Sequence, residues 1–225
     1  MRLTLTLILL NASIFMVQAQ ATYHLNNPLQ ARLESGETPK DLLKSGVPKD
    51  SIYGLFYQGG YIFHFFAKDS SGMVFGPKDL AYSYDTSKTK VIWSCRNIKT
   101  GANGTAIGTG RKNTQKIHDA QCPLYDPDER RWMIAAAELC INYKGAGYDD
   151  WFLPSKNELH QACLKLSQSG KINFNDKSYW TSTEYDPLFA WIEHFRFGPQ
   201  KIELFGQSGY RKFYDDYVRP ARIFK

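Results

Sequence analysis

A stretch in the middle of the chain is rich in cations and free of acids. No Asp or Glu occurs between Thr86 and His118, where the cations are Lys88, Lys90, Arg96, Lys99, Arg111, Lys112 and Lys116. Clustered Lys and Arg side chains create a positive potential, and sulfate and carboxylate groups accept charge-assisted hydrogen bonds from them. This basic segment therefore predicts a binding site for an anionic, in particular a sulfated, polysaccharide. The alternative is a solvated loop whose charges serve only solubility.

Two acids in the second half of the chain, Glu158 and Glu184, raise the question of a glycosidase, which needs a pair of carboxylates. Glu158 stands three residues after Ser155, a spacing that predicts a capping box at a helix start. Glu184 follows a Thr-Ser-Thr run and is expected to accept hydrogen bonds from loop amides. We therefore expect no catalytic residue.

Metal and cofactor chemistry is not indicated by the sequence. Calcium needs several converging carboxylate and carbonyl oxygens. The acid pairs Asp149 with Asp150 and Asp215 with Asp216 are more typical of turns. The histidines are scattered, and no Cys and His stand together as a metal or nucleophile site needs. We expect no metal ion and no cofactor.

The elements that must position these residues follow an α+β order. A strand is predicted over Gly59–Phe66, which is rich in aromatic residues, and a helix over 126–143, where an Asp-Pro pair suits a helix start. A second helix is predicted over 156–168, after the apolar block Trp151–Leu153 and Pro154. Later strands are expected at Tyr179–Thr183, Ala190–Phe195, Lys201–Leu204 and Tyr217–Phe224. The basic segment is expected to form loops with brief strands.

Three segments of the chain carry a resemblance to a known family: Gly147–Leu159, Tyr179–Tyr185 and Val218–Phe224. Together they resemble the Lcl C-terminal-like domain family, the globular domain of bacterial collagen-like adhesins and its relatives, and the likeness covers residues 53–224. The resemblance implies a C-type-lectin-like fold, akin to the formylglycine-generating enzymes, in which two helices pack on a mainly antiparallel sheet with long loops. It also implies that the first and last strands pair. The residues that it marks as a structural signature are Trp151, Pro154, Ser155, Glu158, Trp180, Glu184, Arg219 and Arg222.

The N-terminus has the pattern of a secretory signal. A basic residue precedes the apolar stretch Leu3–Val17, and small residues follow it. We expect a signal peptide over 1–21 and a secreted, periplasmic or cell-surface protein without a membrane span after its removal. Residues 22–52 contain a tandem of two short predicted helices and are expected to form a spacer or a small cap. Residues 53–225 are expected to form the globular domain.

The cysteines Cys95, Cys122, Cys140 and Cys163 favour disulfides in an exported chain. Four cysteines allow three pairings, and the sequence does not choose among them. The pair that we expect is Cys122 with Cys140. Relatives in the family that the chain resembles carry an apolar residue near Cys163, which implies an unpaired core thiol at that position.

Composition and charge complete the functional hypothesis. With 43% hydrophobic residues the chain can form one well-buried domain, and its formal charge is +6 with a pI of about 9.0. The expected function is an adhesin-like, exported binding module that recognises an anionic polysaccharide or a host glycan without calcium, and not nucleic acid. The alternative is a structural or protein-interaction module of the bacterial envelope, with an envelope or host surface protein as its partner. Both hypotheses leave oligomerisation open.

Overall fold

The computed structural model describes residues 27–69, 71–81, 90–95, 97–122, 125–126, 131–132, 134–172, 174, 177–197 and 202–225. In these residues the protein is an α+β structure with two β-sheets, a two-stranded ribbon and six helices, as the order of elements in the sequence predicts. The predicted signal peptide, Lys88 and Arg96 lie outside the described residues. Within the described part of the chain, no helix has the length and apolar character that a membrane crossing needs.

Three short helices precede the first strand: α1 (Pro28–Glu34), α2 (Pro39–Lys44) and α3 (Lys49–Ile52). Thr38 begins α2 through a capping box with Asp41, so that two backbone N–H groups at the helix start are satisfied. The helices bury Leu33, Leu42 and Ile52 in one core cluster with residues of the first sheet. They therefore lie on the globular domain and share its core.

The first sheet contains four antiparallel strands in the order β1 (Phe56–Tyr57), β2 (Gly60–Phe65), β3 (Gly72–Phe75) and β11 (Ala221–Phe224). Tyr61 of β2 lies opposite Phe75 of β3, and Phe75 lies opposite Ala221 of β11. The implied direct pairing of the first long strand with the last is therefore wrong. The reason is β3, whose four residues are all buried and which takes the central position between the two.

The second sheet contains five strands in the order β4 (Lys90–Val91), β10 (Asp216–Tyr217), β7 (Ser178–Glu184), β8 (Phe189–Phe197) and β9 (Ile202–Arg211). The β10–β7 pair is parallel and the other pairs are antiparallel. Phe63 and Phe75 of the first sheet share a core cluster with Tyr179 and Phe195 of the second. The two sheets are thus joined by an aromatic core.

The remaining helices are α4 (Gly110–Asp119), α5 (Ala136–Asn142) and α6 (Lys156–Gln168). The start of α6 has the predicted capping box. The predicted helix over 126–143 is wrong in its first half, because Asp126 pairs with Arg131 in a ribbon formed by β5 (Tyr125–Asp126) and β6 (Arg131–Trp132). An Asp-Pro pair suits a turn as well as a helix start. The helix α4, in the segment expected to form loops, was not predicted.

A disulfide joins Cys95 to Cys122, whose Cα atoms are 5.2 Å apart. The expected pairing of Cys122 with Cys140 is therefore wrong. Cys140 lies on the buried face of α5, where its free thiol packs in the core. Cys163 on α6 is also free and buried, as expected from the resemblance.

Candidate functional site

Lys116 contacts the loop that carries Lys99, and Lys112 stands one helical turn before Lys116. The Lys116 ammonium donates a hydrogen bond of 2.5 Å to the Gly101 carbonyl oxygen. Lys112 lies one turn earlier on α4, on the same side of the helix, and Lys99 precedes Gly101 by two residues. We call Lys99, Lys112 and Lys116 the lysine cluster. Among the described residues, no carboxylate forms an ion pair with any of the three.

The other described cations of the basic segment do not join this cluster. The Lys90 ammonium lies 4.9 Å from the centroid of the Tyr217 ring. Arg111 forms an ion pair of 3.0 Å with Asp150 and lies over the ring of Phe152. Arg111 and Lys90 thus contact residues in distant parts of the chain.

Glu158 holds the end of the loop that leads into α4. Its carboxylate accepts hydrogen bonds from the N–H groups of Gly108 at 2.7 Å, Gly110 at 3.2 Å and Ser155 at 2.7 Å. The side chain is fully buried, and burial raises the pKa of the carboxyl although these hydrogen bonds act to lower it. A Cβ atom at Gly110 would collide with the carboxylate, so the close approach needs glycine. One acid therefore caps α6 and fixes the start of α4.

Glu184 holds the first part of the same loop. Its carboxylate accepts hydrogen bonds from the N–H groups of Thr100 at 2.8 Å and Gly101 at 2.9 Å. The Lys212 ammonium donates to this carboxylate at 2.6 Å and to the Ile98 carbonyl oxygen at 2.9 Å. Both side chains of the ion pair are buried, and burial lowers the pKa of Lys212 while the contact with Glu184 opposes that change. We call this buried pair the Glu184–Lys212 clamp.

The two signature arginines form ion pairs of their own. Arg219 pairs with Asp79 at 2.5 Å, and Lys177 pairs with the same carboxylate at 2.8 Å. Arg222 pairs with Asp150, the carboxylate that Arg111 also contacts. Burial raises the pKa of Asp150, but the two guanidinium groups outweigh it and lower the pKa overall. Both arginines therefore connect the C-terminal segment to earlier parts of the chain.

The remaining signature residues lie in the interior. Trp151 is 3% exposed and its ring meets Tyr143 edge to face at 5.3 Å between centroids. Trp180 is fully buried and donates from its indole N–H to the Val91 carbonyl oxygen at 2.7 Å. Pro154 is buried beside the start of α6. These residues pack the core and do not present a face to a ligand.

The histidines each have separate surroundings. His160 contacts Glu193 at 2.9 Å, and His194 contacts a serine on β9. His118 contacts Glu138 at 2.6 Å on the surface, and this contact raises the pKa of the imidazole. In the described part of the chain, no group of three or more His, Cys, Asp or Glu residues is arranged to hold a metal ion.

One surface feature has no counterpart among the predicted site residues. The large hydrophobic side chains that are exposed among the described residues are Ile98, Tyr185, Leu188 and Tyr214. Single tyrosines and aliphatic residues between polar neighbours give no periodic signal in the sequence. The rings of Tyr185 and Tyr214 pack against Trp191 and Tyr210, which the β8–β9 register places on opposite faces of the second sheet.

Comparison with protein-family models gives no match, and no curated protein matches the chain.

Proposed function

We propose that this protein is an exported binding module with a C-type-lectin-like domain of the Lcl C-terminal-like family, and that it binds an anionic polysaccharide without calcium. The observation that carries the proposal is the lysine cluster. Lys99 lies on the loop that Lys116 contacts, Lys112 lies one turn from Lys116 on α4, and no described carboxylate forms an ion pair with any of the three. Lys165, Lys177 and Lys212, by contrast, each pair with an acid. Sulfate and carboxylate groups are the partners that ammonium groups without a paired acid attract.

The rigidity of the supporting loop favours binding. The Glu184–Lys212 clamp holds the loop next to Lys99, and Glu158 holds it next to α4. A loop that is already ordered loses less conformational entropy when a ligand binds. The cations therefore need little conformational ordering when they bind a polysaccharide.

The sequence supports polysaccharide binding without calcium. The triplets Glu-Pro-Asn, Gln-Pro-Asp and Trp-Asn-Asp of calcium-dependent sugar-binding lectins do not occur in the chain. A positive surface needs no bridging cation to attract sulfate groups.

Heparin affinity chromatography tests the proposal. The unaltered protein should be retained and should elute with moderate salt, because salt screens exposed charges. The double variant Lys99→Gln/Lys112→Gln should elute at lower salt. A matched control, Lys40→Gln/Lys44→Gln, removes the same charge from α2 and should elute with the unaltered protein.

Two results would contradict the proposal. Passage of the unaltered protein through the column in low salt excludes a polyanion ligand. Equal elution of the two double variants shows that net charge, and not the lysine cluster, causes retention. Capture of an envelope protein that is unaffected by either double variant would instead favour the protein-interaction module.

A further inference from the structure

One face of the second sheet carries a row of side chains next to α6. Residues directly opposite each other on antiparallel strands share a face, and so do residues two apart along one strand. The β8–β9 register therefore places six residues on this face: Phe189, Trp191 and Glu193 of β8, and Arg211, Gly209 and Gln207 of β9. The helix α6 contacts the same face. Its Lys156 ammonium lies 3.5 Å from the centroid of the Trp191 ring. His160, one helical turn later, contacts Glu193 at 2.9 Å.

Tyr185 and Arg211 extend this row at the end that lies away from His160. The Tyr185 ring, 57% exposed, meets Trp191 edge to face at 5.0 Å between centroids. A Cβ atom at Gly209 would lie 3.8 Å from the Tyr185 ring, so the tyrosine covers the glycine on the same face. The exposed Arg211 guanidinium lies 5.7 Å from the centroid of the Phe189 ring. We call this row the aromatic strip, and its ligand-facing residues are Tyr185, Trp191, Arg211, Lys156, His160 and Gln207.

A buried carboxylate fixes the polar end of the aromatic strip. Glu193 is fully buried and accepts hydrogen bonds from the Gln207 side-chain amide at 2.7 Å and from His160 Nδ1. Because a carboxylate accepts, Nδ1 carries the hydrogen and Nε2 is the ring nitrogen that remains for a ligand. The His160 side chain is 40% exposed. Gln207 also donates to the Lys156 carbonyl oxygen at 3.2 Å. These contacts order the polar groups before a ligand binds, as in most small-ligand sites.

We propose that the aromatic strip is a second binding site for an anionic polysaccharide, separate from the lysine cluster. The inference rests on the class of ligand in the proposed function and not on the lysine cluster, with which the strip has no direct side-chain contact among the described residues. Among the same residues, no carboxylate forms an ion pair with Lys156 or Arg211. Both cations therefore suit an acid group of the ligand.

The chemistry of the strip favours a sugar chain over an acidic peptide. β8 pairs with β7 on one side and with β9 on the other, so its backbone N–H and C=O groups are used within the sheet. An extended peptide that adds to a sheet needs a free strand edge, and the face of β8 offers none. A sugar needs no backbone partner. Its ring can lie on Tyr185, and its hydroxyl groups can bond to Gln207 and His160. The strip between Phe189 and Glu193 is roughly 13 Å long at about 3.3 Å per residue, which suits a short linear segment.

Tryptophan fluorescence during titration with a heparin tetrasaccharide tests the inference. Trp191 is partly exposed, whereas the other tryptophans whose side chains are described are buried: Trp93, Trp151 and Trp180. A ligand on the strip should therefore change the Trp191 emission, and the change should be absent from Trp191→Phe. It should persist in Lys99→Gln/Lys112→Gln, because that double variant leaves the strip unaltered.

A pair of matched variants measures the contribution of the strip to affinity. Tyr185→Ala/Arg211→Gln should bind the tetrasaccharide roughly tenfold more weakly, the order found for the loss of one aromatic stacking contact in nucleic-acid sites. The control Tyr214→Ala/Lys40→Gln also removes one exposed tyrosine and one exposed cation. The Tyr214 ring packs on Tyr210, on the opposite face of the sheet, so the control should bind like the unaltered protein. Equal urea midpoints would show that all the variants fold.

Each other outcome has a defined meaning. Retention of the unaltered protein on heparin without a change in Trp191 emission overturns this inference and leaves the proposed function intact. Equal tetrasaccharide affinity of the strip variant and its control also overturns it. If the unaltered protein shows neither retention nor an emission change, the proposed function fails and the inference fails with it. If a thymidine oligonucleotide binds the strip more tightly than the tetrasaccharide does, the ligand is a single-stranded nucleic acid and the inference is wrong.

Discussion

Replacement of Lys212 by methionine should strongly destabilise the fold. Methionine has a similar length and keeps the packing of the stem, but it leaves the buried Glu184 carboxylate without its cation. Removal of one partner from a buried ion pair costs about 3–5 kcal/mol. Two N–H groups, of Thr100 and Gly101, still donate to the carboxylate, which places the expected loss near 3 kcal/mol. The Ile98 carbonyl oxygen also loses its donor.

Urea unfolding followed by tryptophan fluorescence measures this loss. The control is Lys144→Met, which removes a surface ion pair with Asp149 whose side chains are 69% and 73% exposed. Such a pair contributes at most about 1 kcal/mol. The double variant Lys212→Met/Glu184→Gln should be more stable than Lys212→Met, because it no longer buries an unpaired charge. A loss below about 1 kcal/mol for Lys212→Met would refute the reasoning, since the pair would then behave as a surface contact.

Two further predictions concern the disulfide and the surface histidine. Reduction of the Cys95–Cys122 bond, which closes a separation of 27 residues, should lower the free energy of unfolding by about 3.5 kcal/mol. Peptide mapping without reduction should show this pair and a free Cys140. Contact with Glu138 raises the pKa of His118 in the folded protein. The pair therefore contributes its full stabilisation below the unfolded-state pKa near 6.5. This contribution disappears as the pH rises through the higher pKa of the folded state. NMR titration should show the raised pKa, and His118→Gln should remove a pH-dependent stability of less than about 1 kcal/mol.

The results that would contradict these two predictions are distinct. A linked peptide containing Cys140 would exclude the observed pairing. A His118 titration at or below the ordinary imidazole value would show that the contact with Glu138 does not persist in solution.

The capping box of α6 could be predicted because its signal is local. Ser155 and Glu158 stand at the spacing that caps a helix, and the apolar residues that follow repeat at helical intervals. Glu158 has a second role, with Gly108 and Gly110, that no local pattern encodes. These contacts join residues about fifty positions apart, so only the fold brings them together.

The helix α4 could not be predicted because its buried face is mostly polar. Asn113 and Thr114 are buried there, and only Ile117 is a large apolar residue. Their side chains are satisfied by distant backbone: Asn113 donates to the Gly104 carbonyl oxygen at 2.6 Å, and Thr114 accepts from the Leu153 N–H at 3.0 Å. Tertiary hydrogen bonds thus add to the one large apolar contact, that of Ile117, in stabilising this helix.

The contacts of the charged residues could not be predicted from the sequence either. The sequence identifies a segment without acids, but it does not show that Arg111 pairs with Asp150. Nor does it distinguish buried Lys212 from a solvent-exposed lysine, since it stands between Arg211 and Phe213 in a run that is typical of a turn. A charge pattern therefore predicts a type of ligand better than it predicts the residues that contact it.

Replacement of Glu184 by glutamine separates the effect of charge from that of loop order. Coulomb attraction alone predicts stronger heparin binding, because Lys212 would lose its counter-charge. We expect weaker binding, since glutamine cannot accept from both loop N–H groups and from the ammonium, so the loop next to Lys99 becomes less ordered. Glu138→Gln is the control: it removes a partly exposed acid whose ion pair is with His118 of α4 and not with the loop, and it should strengthen heparin retention slightly. Stronger retention of both variants would show that charge dominates, and that the buried clamp contributes nothing to recognition.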